Sequence, residues 1–197
     1  MNFAPPPRKA FKSADPGIHA AVCVGVWDLG LQAPSGQFAG GKPAEKVLVA
    51  WEVASGELVT VEYTRLINEW LDKNKCVQAT KLKKHLESWF SPNKIEDPAK
   101  FDAKKLLGQH CQLVISHTPG GYAKVDAITG PDRAKMNWEP TREYVYFEVG
   151  DEIPAATENW IVSRINARIQ PGEEPQQSPA ESSQVRAGSP PSGKVPF

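Results

Sequence analysis

Between residues 46 and 64, apolar and polar side chains alternate with period two, break at a short Gly-containing connection, and alternate again. Val47, Val49, Trp51 and Val53 fall on one face of the first run, and Val59, Val61 and Tyr63 on one face of the second. Alternation on both sides of Ala54-Ser55-Gly56-Glu57 predicts a β-hairpin. The opposite faces carry Lys46, Glu52, Thr60, Glu62 and Thr64, which predicts a sheet with one dry side and one wet side. Upstream, Ile18 to Leu31 predicts a long strand, with Ile18, Ala20, Val22, Val24 and Val26 on one face and Ala21, Cys23, Gly25 and Trp27 on the other. Gly25 in its middle marks a bulge or bend, and a long bent first strand can serve both sides of a small barrel.

Downstream the period changes. Leu66, Ile67, Trp70 and Leu71 recur at helical spacing, and Leu82, Leu86, Trp89 and Phe90 repeat the stripe of an amphipathic helix. Lys81, Lys83, Lys84 and Glu87 take its other face, as solvated side chains, while Trp89 and Phe90 read as core. Phe101 to Gly108 predicts a short helix capped by Asp102 and closed by Gly108. Cys111–Ser116 and Tyr122–Ile128 then flank a Pro119-Gly120-Gly121 turn, a second hairpin. Three strands, a helix and two strands predict a mainly β fold with α elements. That order is the layout of a five-stranded OB-fold, a partly open Greek-key barrel with a helix between strands three and four. Residues 130–150 read as an extended arm, and Thr157 to Ile169 as an extra C-terminal helix with Thr157 as cap and Trp160, Ile161, Ile165 and Ile169 as its stripe.

Composition then sets the boundaries. Pro5-Pro6-Pro7 and Asp15-Pro16 predict a flexible arm over residues 1–16. Residues 171–197 hold six Pro, five Ser and three Gly and too little apolar surface to order themselves, so they predict a disordered tail. One domain, residues 17–170, lies between. Lys plus Arg and Asp plus Glu number 23 each, so net charge exerts no pull toward nucleic acid, although charge can segregate on one face. Three scattered cysteines, Cys23, Cys76 and Cys111, fit reduced thiols better than a disulfide framework. No stretch has the apolar run of a signal peptide or membrane span, so the expected location is the cytoplasm.

Catalytic chemistry is not evident. Gly40-Gly41-Lys42 lacks the glycine spacing and the Ser/Thr of a phosphate-binding loop. His110, Cys111 and His117 lack a paired zinc-ligand spacing, and Cys111 reads as a buried strand thiol. The expectation is a non-enzyme without metal or cofactor.

The blocks Lys46–Val53, Glu62-Tyr63-Thr64 and Leu82-x3-Leu86-Glu87-Ser88-Trp89 resemble phage-encoded single-stranded DNA-binding proteins. So do Phe101-Asp102-x3-Leu106-Leu107-Gly108-x2-Cys111-x2-Val114 and Gly121–Val125. The resemblance spans about residues 17–169 and implies an OB-fold that coats single strands in phage replication or recombination. Pro196-Phe197 is similar to the last dipeptide of bacterial single-stranded DNA-binding proteins, whose tails dock replication and repair partners. Here Lys194 stands where those tails are acidic.

Single-strand coating needs cations for phosphates and aromatic faces for bases. OB-folds use strands two and three, rimmed by the loops after strands one and four. That selects Phe38, Lys42 and Lys46 near the first loop, Trp51, Tyr63 and Arg65 on the hairpin, and Tyr122 and Lys124 at the second rim. Trp51 shares a face with Val47 and Val49, so it turns outward only if a bulge reorients it; Tyr63 carries the same ambiguity. Two other classes remain open: an OB-type module that binds a host nuclease or replisome component, and a small hydrolase or nucleotide-modifying enzyme. Oligomeric state is left open.

Overall fold

The computed structural model describes residues 13–34, 42–65, 69–71, 77–90, 101–132 and 137–170. Its centre is β1 (Gly17–Gln32), which pairs antiparallel with β2 (Ala44–Val53) along its second half. Its first half pairs with β6 (His110–His117). Together with β3 (Leu58–Thr64), β7 (Ala123–Thr129) and the short β8 (Val145–Phe147), these strands form one sheet of order β3-β2-β1-β6-β7. Only β8 runs parallel to its partner, along Gly25–Trp27 of β1. The sheet is open: among the described residues no ladder joins β3 to β7.

The bend in β1 falls where its glycine sits. The register slips between Cys23 and Gly25 and again between Asp28 and Gly30, and a Cβ at Gly25 would collide with the Trp27 indole. The first slip reverses the phase of alternation. Ala21, Cys23 and Val26 therefore line one core, and Val24, Trp27 and Leu29 the other, so the uniform alternation expected for this strand fails beyond the bulge. The β2–β3 hairpin keeps its expected register, Val49 opposite Val61 and Trp51 opposite Val59. Gly56, at φ +88°, closes the turn in a conformation that L side chains rarely adopt.

Helix α1 (Lys81–Trp89) buries Leu82, His85, Leu86 and Trp89 against the inner face of the sheet, with the Thr80 hydroxyl accepting from the Lys83 amide at its start. A single 3-10 turn, Ala103–Leu106, is capped by Asp102 and leads into Gly108 at φ +74°. The residues between β3 and α1 depart from expectation. Where Leu66 to Leu71 is expected to be helical, Glu69–Leu71 instead forms β4, paired with β5 (Val77–Ala79); Leu66 and Ile67 lie outside the described residues. Four apolar positions on a 3.6 period are too few to hold a helix against strand pairing.

The outer face of β1 and β2 is not wet, as the hairpin pattern had suggested, although Glu62 on β3 stays exposed. Helix α2 (Asn159–Asn166), β8 and the segment before it cover it with a second core of Val24, Trp27, Leu29, Leu48, Ala50, Val145, Phe147, Ile161 and Ile165. Thr157 is not the cap of α2. That position belongs to Glu158, and the Thr157 hydroxyl instead accepts from Trp27 Nε1 at 3.2 Å. Trp160 likewise leaves the expected stripe and is exposed, its indole N–H bonding the Glu158 carboxylate.

Among the described residues no helix is long and apolar enough to cross a membrane.

Candidate functional site

The hairpin residues expected to meet nucleic acid divide sharply. Trp51 is 1% exposed and Tyr63 2%, both in the inner core. The ladder through them is regular, with no bulge to turn them outward, so neither ring presents a stacking face in this structure. Trp51 packs on Trp89 with ring centroids 5.9 Å apart, and its indole N–H finds no acceptor. The Tyr63 hydroxyl meets His85 Nδ1 at 2.7 Å, and burial pushes it well above the ordinary tyrosine range.

Two cations of that hairpin, Lys46 and Arg65, are neutralised by the protein's own carboxylates. Lys46 lies 3.9 Å from Glu62, which also binds Arg164 of α2 at 2.6 Å. Arg65 bonds Asp28 at 2.9 Å. Beneath them, Glu52 is buried, and its carboxylate accepts from the Thr141 amide at 3.0 Å, the Thr141 hydroxyl at 2.8 Å and the Arg142 amide at 3.0 Å. An inward-facing carboxylate satisfied by three donors is a clamp on the segment leading into β8 rather than a wet surface group. Lys42 is exposed just before β2. Phe38, Pro196 and Phe197 lie outside the described residues.

The second rim is different. Tyr122 is 69% exposed after the Pro119-Gly120-Gly121 turn, its ring lying over Gly120 at 3.2 Å from where a Cβ would stand. Lys124, also exposed, pairs with Asp126 at 2.7 Å.

No protein-family model matches the chain, and no curated protein matches it.

Sequence reading missed a groove of about 390 Å³ between α1 and β7, lined by Lys81, Lys84, His85, Ser88 and Asp126. Lys81, Lys84 and Ser88 share one helix face at i, i+3 and i+7. A bulge shapes the opposite wall: Val114 pairs with Ala127 and Ile115 with Val125, which leaves Asp126 out of the ladder. Its backbone carbonyl is thereby released to accept from the His85 ring. His85 thus ties α1 to Tyr63 on β3 and to Asp126 on β7, the two outer strands of the open sheet. Burial and the Lys81 ammonium hold its pKa down to about 4, so the ring is neutral at pH 7. Hydrogen bonds from Lys124 and Ser116 hold the Asp126 carboxyl below the usual carboxylate range. The signal available in the sequence was the Lys81/Lys84/Ser88 spacing, which reads equally as a solvated helix face.

The other candidate chemistry is dispersed. Cys23 and Cys111 are buried free thiols whose pKa burial drives upward, the opposite of an activated nucleophile. His110 packs edge-on against Trp138, and His117 bonds the Ala14 carbonyl at 2.9 Å. Among the described residues no group of three or more His, Cys, Asp or Glu side chains is placed to hold a metal.

Proposed function

We propose that this protein binds single-stranded DNA without sequence preference, as an OB-type fold serving phage replication or recombination, and has no catalytic role. The observation that carries the reading is Tyr122. A large aromatic ring held 69% exposed on a glycine turn, with Lys124 two residues on, lies beyond any packing need. It supplies a stacking face of the kind a single strand requires. Support also comes from the sheet: β1, β2 and β3, then α1 after the small β4–β5 hairpin, then β6 and β7, arranged around a long bent first strand with the outer strands bridged by a side chain rather than a ladder, suits a partly open barrel. The Pro196-Phe197 end would then dock replication partners.

The test is fluorescence anisotropy of a labelled oligo-dT of about 30 nucleotides and of a matching duplex, each at low and moderate salt. Single-strand preference with a clear salt slope is expected, and Tyr122→Ala should weaken binding by roughly 1–3 kcal/mol, the contribution of one stacked base. A protein-interaction module is the second reading. It is favoured by the cancelled charge on the β2–β3 face, and absence of DNA binding at low salt would select it.

A further inference from the structure

Resting on the single-strand reading, we infer that the phosphates of the bound strand run along the groove between α1 and β7, held by Lys81 and Lys84, rather than across the outer face of β2 and β3. Three observations lead there. The outer face of β2 is already occupied, with Leu48 and Ala50 packed under α2 and β8, and beside it Lys46 and Arg65 are committed to Glu62 and Asp28. In the groove, by contrast, no carboxylate of the described residues lies within ion-pair distance of Lys81 or Lys84. The acidic side chain in the groove wall, Asp126, is hydrogen-bonded by Lys124 and Ser116 and attracts Lys81 from beyond ion-pair distance.

Size and access also fit. A groove of about 390 Å³ lies within the range of about 300–1,000 Å³ that accommodates small ligands, nucleotide-sized groups among them. It opens along β7, an outer strand of the sheet. Lys81, Lys84 and Ser88 succeed one another along it, and Tyr122 and Lys124 stand toward the start of β7. A strand entering at the β6–β7 turn can stack a base on Tyr122 and then lay its phosphates past the two lysines.

Electrostatics point the same way. Burial and the nearby Lys124 ammonium hold Lys81 below the ordinary lysine range, with Asp126 opposing them in part. A phosphate beside Lys81 would add to that opposing attraction. His85 forms the groove floor, but both ring nitrogens are engaged and the ring is neutral, so it contributes shape rather than charge.

The experiment titrates the labelled oligo-dT against the full chain and its variants at several salt concentrations. Lys81→Ala with Lys84→Ala should weaken binding roughly tenfold at low salt and reduce the slope of log affinity against log salt by about 0.7 per lysine. Lys84→Glu, at an exposed position that folding does not depend on, should weaken it further. Asp126→Asn should strengthen binding severalfold, a gain that damage to the fold cannot imitate. Lys105→Ala, on the 3-10 turn, is the control and should leave affinity within twofold. Tight, salt-dependent binding by the parent chain that none of the groove variants alters would overturn the groove path while leaving the single-strand reading intact. Failure of the parent chain itself to bind at low salt would overturn both.

Discussion

The outer face of β2–β3 and the groove beside α1 carry similar cations to opposite ends. Lys46 and Arg65 stand on or beside strands that sequence alternation marks as exposed, yet each lies against a carboxylate of the same chain. Arg164 reaches across from α2 to complete the first cluster. Lys81 and Lys84 lie on a helix face that sequence marks as ordinary solvated surface, and Asp126 in the groove wall ion-pairs with Lys124 while attracting Lys81 from further off. A lysine's value to an anionic ligand is set by the carboxylates its tertiary neighbours bring, and those neighbours come from distant segments. Glu62 meets Arg164 across 102 positions of sequence. Exposed ion pairs of this kind stabilise little, about 0–1 kcal/mol each, but they remove the local field that would attract a phosphate.

If the hairpin residues are structural, disturbing them should damage folding first. The largest effect is expected at Trp51. Trp51→Ala should destabilise by about 3–5 kcal/mol, the range for deleting a buried aromatic ring, read as the shift in a urea or thermal unfolding curve. Trp51→Phe should lose far less, because it also removes an indole N–H that has no acceptor. Single-strand affinity per folded molecule should be unchanged in Trp51→Phe; a loss of stacking there would return the ring to the interface.

Glu52→Ala comes next. It strands the Thr141 and Arg142 amides and frees the segment entering β8, so a loss of about 2–3 kcal/mol is expected in chemical denaturation. Backbone amide exchange over residues 141–147 should accelerate more than exchange in β7.

His85 tests the groove wall through pH. Its pKa is held at about 4, below the ordinary 6.5. Between these values the unfolded chain binds the proton and the folded chain does not. Stability is therefore full above pH 6.5 and falls as the pH drops toward 4. The loss should be about 2 kcal/mol, allowing for the solvent that reaches the ring through the groove. Unfolding curves measured from pH 7 to 4 should show this slope in the parent and not in His85→Gln.

What could be read from sequence followed from short-range periodicity. The hairpin, its buried face of Val47, Val49, Trp51 and Val53, the stripe of α1 and the Asp102–Gly108 turn all rest on residues a few positions apart, and all appear in the structure. Where reading failed, a distant segment decided. The wet face became a second core because α2 returns to cover Leu48 and Ala50. The phase of β1 reversed because a bulge at Gly25 makes room for Trp27. Glu69–Leu71 took strand pairing because a partner, Val77–Ala79, was at hand. The residues expected to meet nucleic acid divided along the same line. The exposure of Tyr122 was legible because a glycine turn exposes its neighbour locally, whereas Trp51 needed a bulge that the β2–β3 ladder lacks. The groove was illegible because one wall is a helix and the other a strand about 40 positions further on.

The smallest expected effect discriminates most directly between the two cationic regions. Glu62→Gln releases Lys46 and Arg164 together while leaving an isosteric side chain. Stability should fall by less than about 1 kcal/mol, as for other exposed ion pairs. If nucleic acid crossed the outer face, freeing two cations there would raise single-strand affinity and steepen its salt dependence by about 0.7 per cation. Because α2 still packs on Leu48 and Ala50 in the variant, we expect affinity within twofold of the parent and an unchanged slope, measured by anisotropy at three salt concentrations. A steeper slope in Glu62→Gln would place phosphates beside Lys46 and make α2, rather than the α1 groove, the neighbour of the bound strand.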